Sequence, residues 1–454
     1  MILMKFGGTS VKDKNAIERV ISIVRGRMAD KPLVVVSALA KVTRVLCSIA
    51  EEAEAQHLKE VDELLDSLRD RHTSLAAELL SDNPGILAEC VSDVNSILDS
   101  LADFAHGVCQ IGELSPRSYA RIVSTGEVLS SKIVAAAMNV YGLSCRWLDA
   151  RKMIVTDCSY MSAVPDLDAT GANVRRLVPE AAKGVAVVLT QGFIASSTEG
   201  SPSVLGFEGS DYSAAIFGMA LDAERIEIWT DVDGIRSADP RKVPETRRIE
   251  KVSYDEASEM AYLGARVLHP LTIEPARRRN IPVYVLNSMS PEAPGSIVTY
   301  EQVKPGPKSV AVKEDIDYLE ITSEKIVGVT AMLAGIFNAA AANAVKVVLA
   351  GASEARAGIT LESGQPGFEA FVSQLRDTFG VMVYKDKAEV SVVGNAAVTT
   401  PGLSDKILSA AGDAAVYMTS QSPTLLSTSI VVDKAATGDI VVRLHDALFA
   451  QCAD

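Results

Sequence analysis

Short, wholly apolar runs alternate along this chain with stretches whose hydrophobic residues recur every three to four positions. Ile2–Phe6, Leu33–Ser37, Val185–Thr190, Arg225–Thr230 and Pro282–Leu286 read as strands. Leu33-Val34-Val35-Val36 and Val185-Ala186-Val187-Val188-Leu189 are apolar at every position, as in parallel strands covered on both faces. Ile17, Val20, Ile21 and Val24 stand at i, i+3, i+4 and i+7, so the first strand leads into an amphipathic helix. The pattern predicts a three-layer α/β domain over residues 1–300, a mainly parallel sheet between helices. Between about residues 50 and 120 it turns helical and charged, with Val61, Leu64, Leu65 and Leu68 on one stripe, and a helical insertion beside the sheet is expected.

The pattern changes at Glu301-Gln302-Val303-Lys304-Pro305-Gly306-Pro307-Lys308, which predicts a linker over residues 301–312. Two smaller units follow, over 313–386 and 387–454. The first reads as a strand at Asp317–Thr322, a helix at Thr330–Ala344, strands at Val345–Leu349 and Gly358–Leu361, and a helix at Phe368–Phe379. The second reads as a strand at Glu389–Val393, a helix at Leu403–Ala411, strands at Ala415–Thr419 and Ser427–Val432, and a helix at Asp439–Phe449. The repeated order of elements predicts a structural duplication.

Composition narrows the function. At 454 residues the chain exceeds one ordinary core, and its net charge of −14 argues against a nucleic-acid partner. A polyanionic substrate must then find a local positive field, which draws attention to basic residues beside glycine turns. No uncharged apolar run reaches about 18 residues, so no membrane span is expected. The N-terminus enters a strand directly, without the basic start and cleavage site of a signal peptide. Cys47, Cys90, Cys109, Cys145, Cys158 and Cys452 are scattered without a C-x-x-C pair, and the histidines form no metal-spaced cluster. Reduced thiols, a cytoplasmic location and no protein-held metal site are the expectation.

Four segments carry candidate chemistry. Lys5-Phe6-Gly7-Gly8-Thr9-Ser10 joins the first strand to the first helix, and a glycine turn at a helix N-terminus favours anions. It is neither a P-loop nor a dinucleotide fingerprint, and a tight turn with an exposed lysine explains Gly7-Gly8 alone equally well. Leu205-Gly206-Phe207-Glu208-Gly209-Ser210-Asp211-Tyr212 precedes an apolar helix, where Ser210 or Asp211 is either a cap or a partner for Lys5. Trp229-Thr230-Asp231-Val232-Asp233-Gly234 ends a strand, and is a plain Asp-Gly turn or a ligand edge. Ser124-Thr125-Gly126-Glu127 opens a helix, where Glu127 serves the helix dipole or holds a substrate ammonium.

Together with Asp239-Pro240-Arg241 and Tyr262-Leu263-Gly264-Ala265-Arg266-Val267-Leu268-His269-Pro270, these segments resemble, in order and spacing, the aspartate kinases of the amino-acid kinase family. The C-terminal pair is similar to that family's tandem ACT domains of βαββαβ type. The resemblance implies transfer of the ATP γ-phosphoryl group to the β-carboxylate of L-aspartate, with Mg²⁺ bridging phosphate oxygens. By position, Lys5 would stabilise the phosphoryl oxygens and Asp211 would hold Lys5; Gly7, Gly8 and Ser37 would line the phosphate end. Thr43, Glu127 and Ser210 would hold aspartate, and Thr230, Asp231, Arg236, Arg241 and Arg266 would surround the nucleotide and its phosphates.

Some positions depart from the family pattern. Phe207 stands where an acceptor-gripping Arg is usual, and Glu208 adds negative charge beside it. Arg236 replaces a frequent aromatic residue, and Arg266 a frequent Lys. Weaker or altered acceptor binding is expected, and a kinase of another amino acid or carboxylate, or a weakly active regulatory subunit, remain competing readings. The resemblance places an amino-acid effector, lysine or threonine, near Met332, Gly335, Ser353 and Glu354, and implies a homodimer or homotetramer through the ACT units. With the chain stopping at Asp454, a monofunctional enzyme without a fused dehydrogenase is expected.

Overall fold

A computed structural model describes residues 1–206, 208–265, 268, 270–301, 303–323 and 328–450. The chain divides into two compact units, one of Met1–Ile235, Glu250–Tyr254 and Leu268–Glu301, the other of Arg236–Ile249, Asp255–Val267 and Gln302–Asp454. The domain expected over 1–300 thus gives up residues 236–249 and 255–267 to the second unit. Residue patterning marks strands and helices, and it does not show that a segment leaves one core for another.

The first unit is built on an eight-stranded sheet. Its order is Cys145–Trp147, Val187–Gln191, Pro32–Val36, Ile2–Phe6, Ile226–Thr230, Val283–Asn287, Ser296–Thr299 and Lys251–Ser253. The first six are parallel, and only the pairing of Val283–Asn287 with Ser296–Thr299 is antiparallel. Ile2–Phe6, Pro32–Val36 and Val187–Gln191 are buried along their whole length, as continuous apolar runs require. Phe6 pairs with Val36 and Trp229, Val36 with Gln191, and Asn287 with Thr230. Five neighbouring strands therefore end at one edge, and the residues after them (Gly7, Ser37, Gly192, Asp231 and Ser288) line it.

The helical stretch is longer than expected, running from Val42–Glu54 through Leu58–Leu80, Pro84–Ile111, Pro116–Val123 and Thr125–Val140. It is also no appendage. Val61, Leu65 and Leu68 belong to one continuous core with Val34, Val36 and Leu189 of the sheet. Asn83 caps the longest helix by accepting from the amide of Ile86, with Pro84 at its first turn, where a missing N–H costs nothing.

In the second unit, six antiparallel strands lie in the order Val347–Ala352, Arg356–Glu362, Ser309–Thr322, Gly380–Val393, Ser427–Asp433 and Met418–Gln421. The two central strands have 14 residues each. Ile316–Thr322 pairs with Gly380–Lys387, and Ser309–Lys313 pairs with Glu389–Val393, across a register shift where Asp315 has φ 59°. The first half is a βαββαβ unit, as expected. The second takes its sixth strand from Ser309–Lys313, so residues 309–312 are strand and the expected linker is shorter. No break falls at 386/387 either, because one strand runs through it. Separate apolar cores serve the halves, one around Met332, Ile336 and Phe371, the other around Ile407, Ile440 and Leu444.

Candidate active site

Lys5, the penultimate residue of the first strand, leaves the sheet at its C-terminal edge and meets Asp211, with Nζ 2.5 Å from Oδ1. Each side chain is only 11% exposed. Removing two charges from water costs several kcal/mol per ion, so a bare structural pair here would be a poor trade for two apolar residues. A fixed charge that receives an anion is the arrangement's chemical use.

The glycines act through closeness. Neither Gly7 nor Gly8 is left-handed, and Gly7 has φ −70° and ψ 168°. A Cβ on Gly8 would lie 2.9 Å from the carbonyl oxygen of Ala38, while the Ala40 amide donates to the Gly8 carbonyl at 3.1 Å. Only glycine lets these two strand-end loops touch. The turn is a 3₁₀ segment, Gly8–Val11, and the α-helix begins later, at Lys14, with Asp13 accepting from the Ala16 amide at 2.8 Å. The anion site expected at that helix start is therefore already taken by Asp13.

Two other helices turn uncapped N-termini to this edge. Val42–Glu54 starts from a left-handed Lys41 and Gly209–Ala220 from a left-handed Glu208, neither with a side-chain cap. Thr43 lies in the first turn of one and Ser210 and Asp211 in the first turn of the other. Partial positive charge from both ends adds to that of Lys5. The Ser37 hydroxyl donates to the Ser210 hydroxyl at 3.0 Å, and a Cβ on Gly192 would sit 2.7 Å from Ser210 Cα. These contacts bring Lys5, Gly7, Gly8, Ser37, Ser210 and Asp211 together.

Glu127 is 3% exposed and accepts from the Ala38 amide at 3.3 Å through Oε1, while its Oε2 has no hydrogen-bond partner among the described residues. Burial pushes its carboxyl up to about 8, although the Ala38 amide pulls the other way. A buried acid with one oxygen unmet is built to receive a cation. Ser130 braces this wall by donating to the Ser37 carbonyl at 2.7 Å.

At the other end of the edge, Thr230 donates to Asp231 at 3.2 Å and Asp231 is exposed. Arg236 and Arg241 belong to the second unit, where Arg236 donates to the Thr246 carbonyl and Arg241 forks onto Asp239, 2.6 Å from Nη2 to Oδ2. Phe207 and Arg266 lie outside the described residues. Met332 is fully buried in its core and its amide donates to the Gly328 carbonyl, so its side chain serves packing. Gly335 approaches the Phe379 ring, and Ser353 closes a turn onto Arg356 beside the exposed Glu354. Sequence reasoning missed Ala38, Ser130, Gly192, Ser10, Asn287 and Ser288. Asn287 and Ser288 are the two residues that follow the expected strand Pro282–Leu286 at the ligand edge, which was the available signal.

Among the described residues no three His, Cys, Asp or Glu side chains converge on a metal position. Mg²⁺ takes one or two carboxylates plus phosphates and waters rather than an all-protein cage, so a site of this charge fits an ion that arrives on the nucleotide. No helix among the described residues is long and apolar enough to cross a membrane.

Residues 1–287 match the amino acid kinase family. The chain is 31% identical over 458 residues to lysine-sensitive aspartokinase 3 of Escherichia coli (strain K12), covering 99% of each. It is 30% identical over 463 residues to chloroplastic aspartokinase 3 of Arabidopsis thaliana, covering 98% of this chain and 81% of that one. Its structure is similar to E. coli aspartokinase III in complex with aspartate and ADP (R-state), with TM-score 0.87, 30% identity and coverage of 99% and 100%. The complex of that enzyme with lysine and aspartate (T-state) gives TM-score 0.80 and covers 99% of each chain. The chain belongs to the amino acid kinase family and, within it, to the aspartokinases.

Proposed function

We propose that this chain transfers the γ-phosphoryl group of ATP to the β-carboxylate of L-aspartate, giving 4-phospho-L-aspartate and ADP. The observation that carries the reading is the buried Lys5–Asp211 pair set between a glycine turn and two uncapped helix N-termini. A carboxylate oxygen of aspartate bonds to the γ-phosphorus as the bond from that phosphorus to the β–γ bridging oxygen breaks. The acceptor is already ionised at neutral pH, so no general base is required, and alignment and charge neutralisation remain as the protein's task. Lys5 neutralises charge on the transferring group and Asp211 fixes its ammonium. Backbone amides at the two helix starts favour phosphate oxygens. Mg²⁺, when bound with the nucleotide, neutralises further phosphate charge. Glu127 receives the α-ammonium of aspartate, and Thr43 and Ser210 bound the same pocket.

Thr230 and Asp231 face the nucleotide in this reading. The product enters lysine, threonine and methionine synthesis in the cytoplasm. The two halves of the antiparallel sheet, with the helices packed on them, form a regulatory pair of ACT type, through which two or four copies assemble. Lysine is the favoured effector, since a similar aspartokinase is named lysine-sensitive. Phe207 motivates a second reading, an acceptor other than aspartate. Incubating the full chain with Mg-ATP, hydroxylamine and candidate acids decides between them. Hydroxamate with aspartate is expected; hydroxamate only with another acid supports the second reading, and none with any acid overturns both.

A further inference from the structure

Two buried hydroxyls outside the assigned machinery, those of Ser10 and Ser288, form a chain of hydrogen bonds that ends on the Thr230 carbonyl at the ligand edge. Ser288 donates from its hydroxyl to the Thr230 carbonyl at 3.0 Å, and its amide donates to the same oxygen at 2.8 Å. With that proton committed, the 2.8 Å contact between the Ser10 and Ser288 hydroxyls has one direction, with Ser10 donating. Ser10 and Ser288 are 2% and 3% exposed, so water does not compete. Ser10 belongs to the 3₁₀ turn Gly8–Val11, directly after the glycines of the phosphate end, and its amide donates to the Gly7 carbonyl at 2.9 Å. Thr230 closes the strand whose end faces the nucleotide. Next to Ser288, Asn287 donates to Asp233 at 2.5 Å and accepts from the Met289 amide at 2.8 Å, which fixes the loop after Thr230 as well.

We infer that Ser10 and Ser288 are positioning residues that set the separation between the phosphate turn and the nucleoside end of the ATP site, an inference that rests on the kinase reading. Neither touches the reacting atoms. Their effect falls on ligands that span both ends, because a spanning ligand gains from two grips held at a fixed distance, whereas a fragment held by one grip does not. A residue that merely stabilised the fold would weaken all ligands alike.

The test is calorimetric binding to the full chain of ATP, adenosine and tripolyphosphate, without aspartate. Ser288→Ala is expected to weaken ATP about tenfold and to leave adenosine and tripolyphosphate within about twofold. Ser10→Ala is expected to match it, and the double variant to be no worse than either, since both remove one relay. Ser288→Thr, which keeps the hydroxyl, restores ATP binding. If the alanine variants do not fold, Ser288→Cys keeps the volume with a weaker donor and gives an intermediate loss of ATP binding. Equal weakening of fragments and ATP, a double variant equal to the product of the singles, or unchanged ATP binding in the alanine or cysteine variants overturns the inference. Failure of the kinase reading shows separately, as absence of hydroxamate from the wild-type chain in the presence of bound ATP.

Discussion

The two large sheets of this chain place their buried polar groups differently. At the parallel sheet, Lys5, Glu127, Ser210 and Asp211 gather at one edge beside the half-buried Ser37, and two of them, Lys5 and Asp211, meet as a buried ion pair. In the antiparallel sheet, polar residues are spread along the strands and most meet a local partner, although Glu389 Oε2 and Thr428 Oγ1 have none among the described residues. Ser391 meets Ser429 at 2.7 Å, Ser427 meets Glu259 at 2.5 Å, and Lys387 meets Asp433 at 2.5 Å beneath the Tyr417 ring. Strand direction explains the difference. Parallel strands all stop at the same side, so their loops and the following helix starts converge; antiparallel strands stop alternately at both sides and concentrate nothing.

The largest effect should come from breaking the convergent pair. Lys5→Met is expected to lower kcat by about 1000-fold or more, the loss typical of removing one preorganised charge at a developing anion. Lys5→Arg should recover little, because a planar fork does not replace a point charge 2.5 Å from Asp211. Steady-state kinetics with saturating aspartate and ATP measure both.

Next in size is Glu127→Gln, expected to raise the aspartate KM about 100-fold with the ATP KM nearly unchanged. The same change separates function from stability. The Glu127 carboxyl is raised from 4.5 to about 8 by burial. Below about pH 4 it is neutral whether folded or unfolded. Between about pH 4.5 and 8 the unfolded chain loses this proton while the folded chain keeps it, so the group lowers stability as pH rises, and the loss levels off above about 8. Glu127→Gln removes that slope and should gain up to about 3 kcal/mol at pH 7, visible in denaturant titration. Aspartate capture needs the ionised form, so kcat/KM for aspartate should rise about tenfold per pH unit until near 8 and flatten there. In Glu127→Gln this part of the profile should be flat.

Gly8→Ala should cost about 10- to 100-fold in kcat/KM for ATP, since its Cβ would press on the Ala38 carbonyl and displace the loop by some tenths of an ångström. The smallest effect belongs to the other sheet. Lys387→Met is expected to lower stability by about 1 kcal/mol, because Asp433 is half exposed, and to leave effector-free kinetics within twofold. A large kinetic effect there would undo the contrast between the sheets.

Much of this was legible in the sequence, for identifiable reasons. The long strands of the first unit are continuous apolar runs, and every one of the five expected strands is present within two residues at each end. Cys145–Trp147 and Lys251–Ser253 are too short and too polar to produce a period. The shared strand Ser309–Thr322 was cut at its bulge, because its first five residues find their partners some eighty positions later. At the site, Lys5 and Asp211 were readable from the glycines beside them. Asp13 was not readable as the cap that removes the first α-helix from the anion site, and a lone Ser288 after a strand resembles any other serine until Thr230 and Ser10 are placed beside it.

The most direct measurement is phosphorus NMR of the full chain with Mg-ATP and L-aspartate, followed in the wild type and in Lys5→Met. The account predicts that an acyl-phosphate resonance grows with ADP in the wild type and that ATP persists in Lys5→Met. ADP without an acyl phosphate in the wild type, or equal acyl-phosphate formation in Lys5→Met, would contradict it.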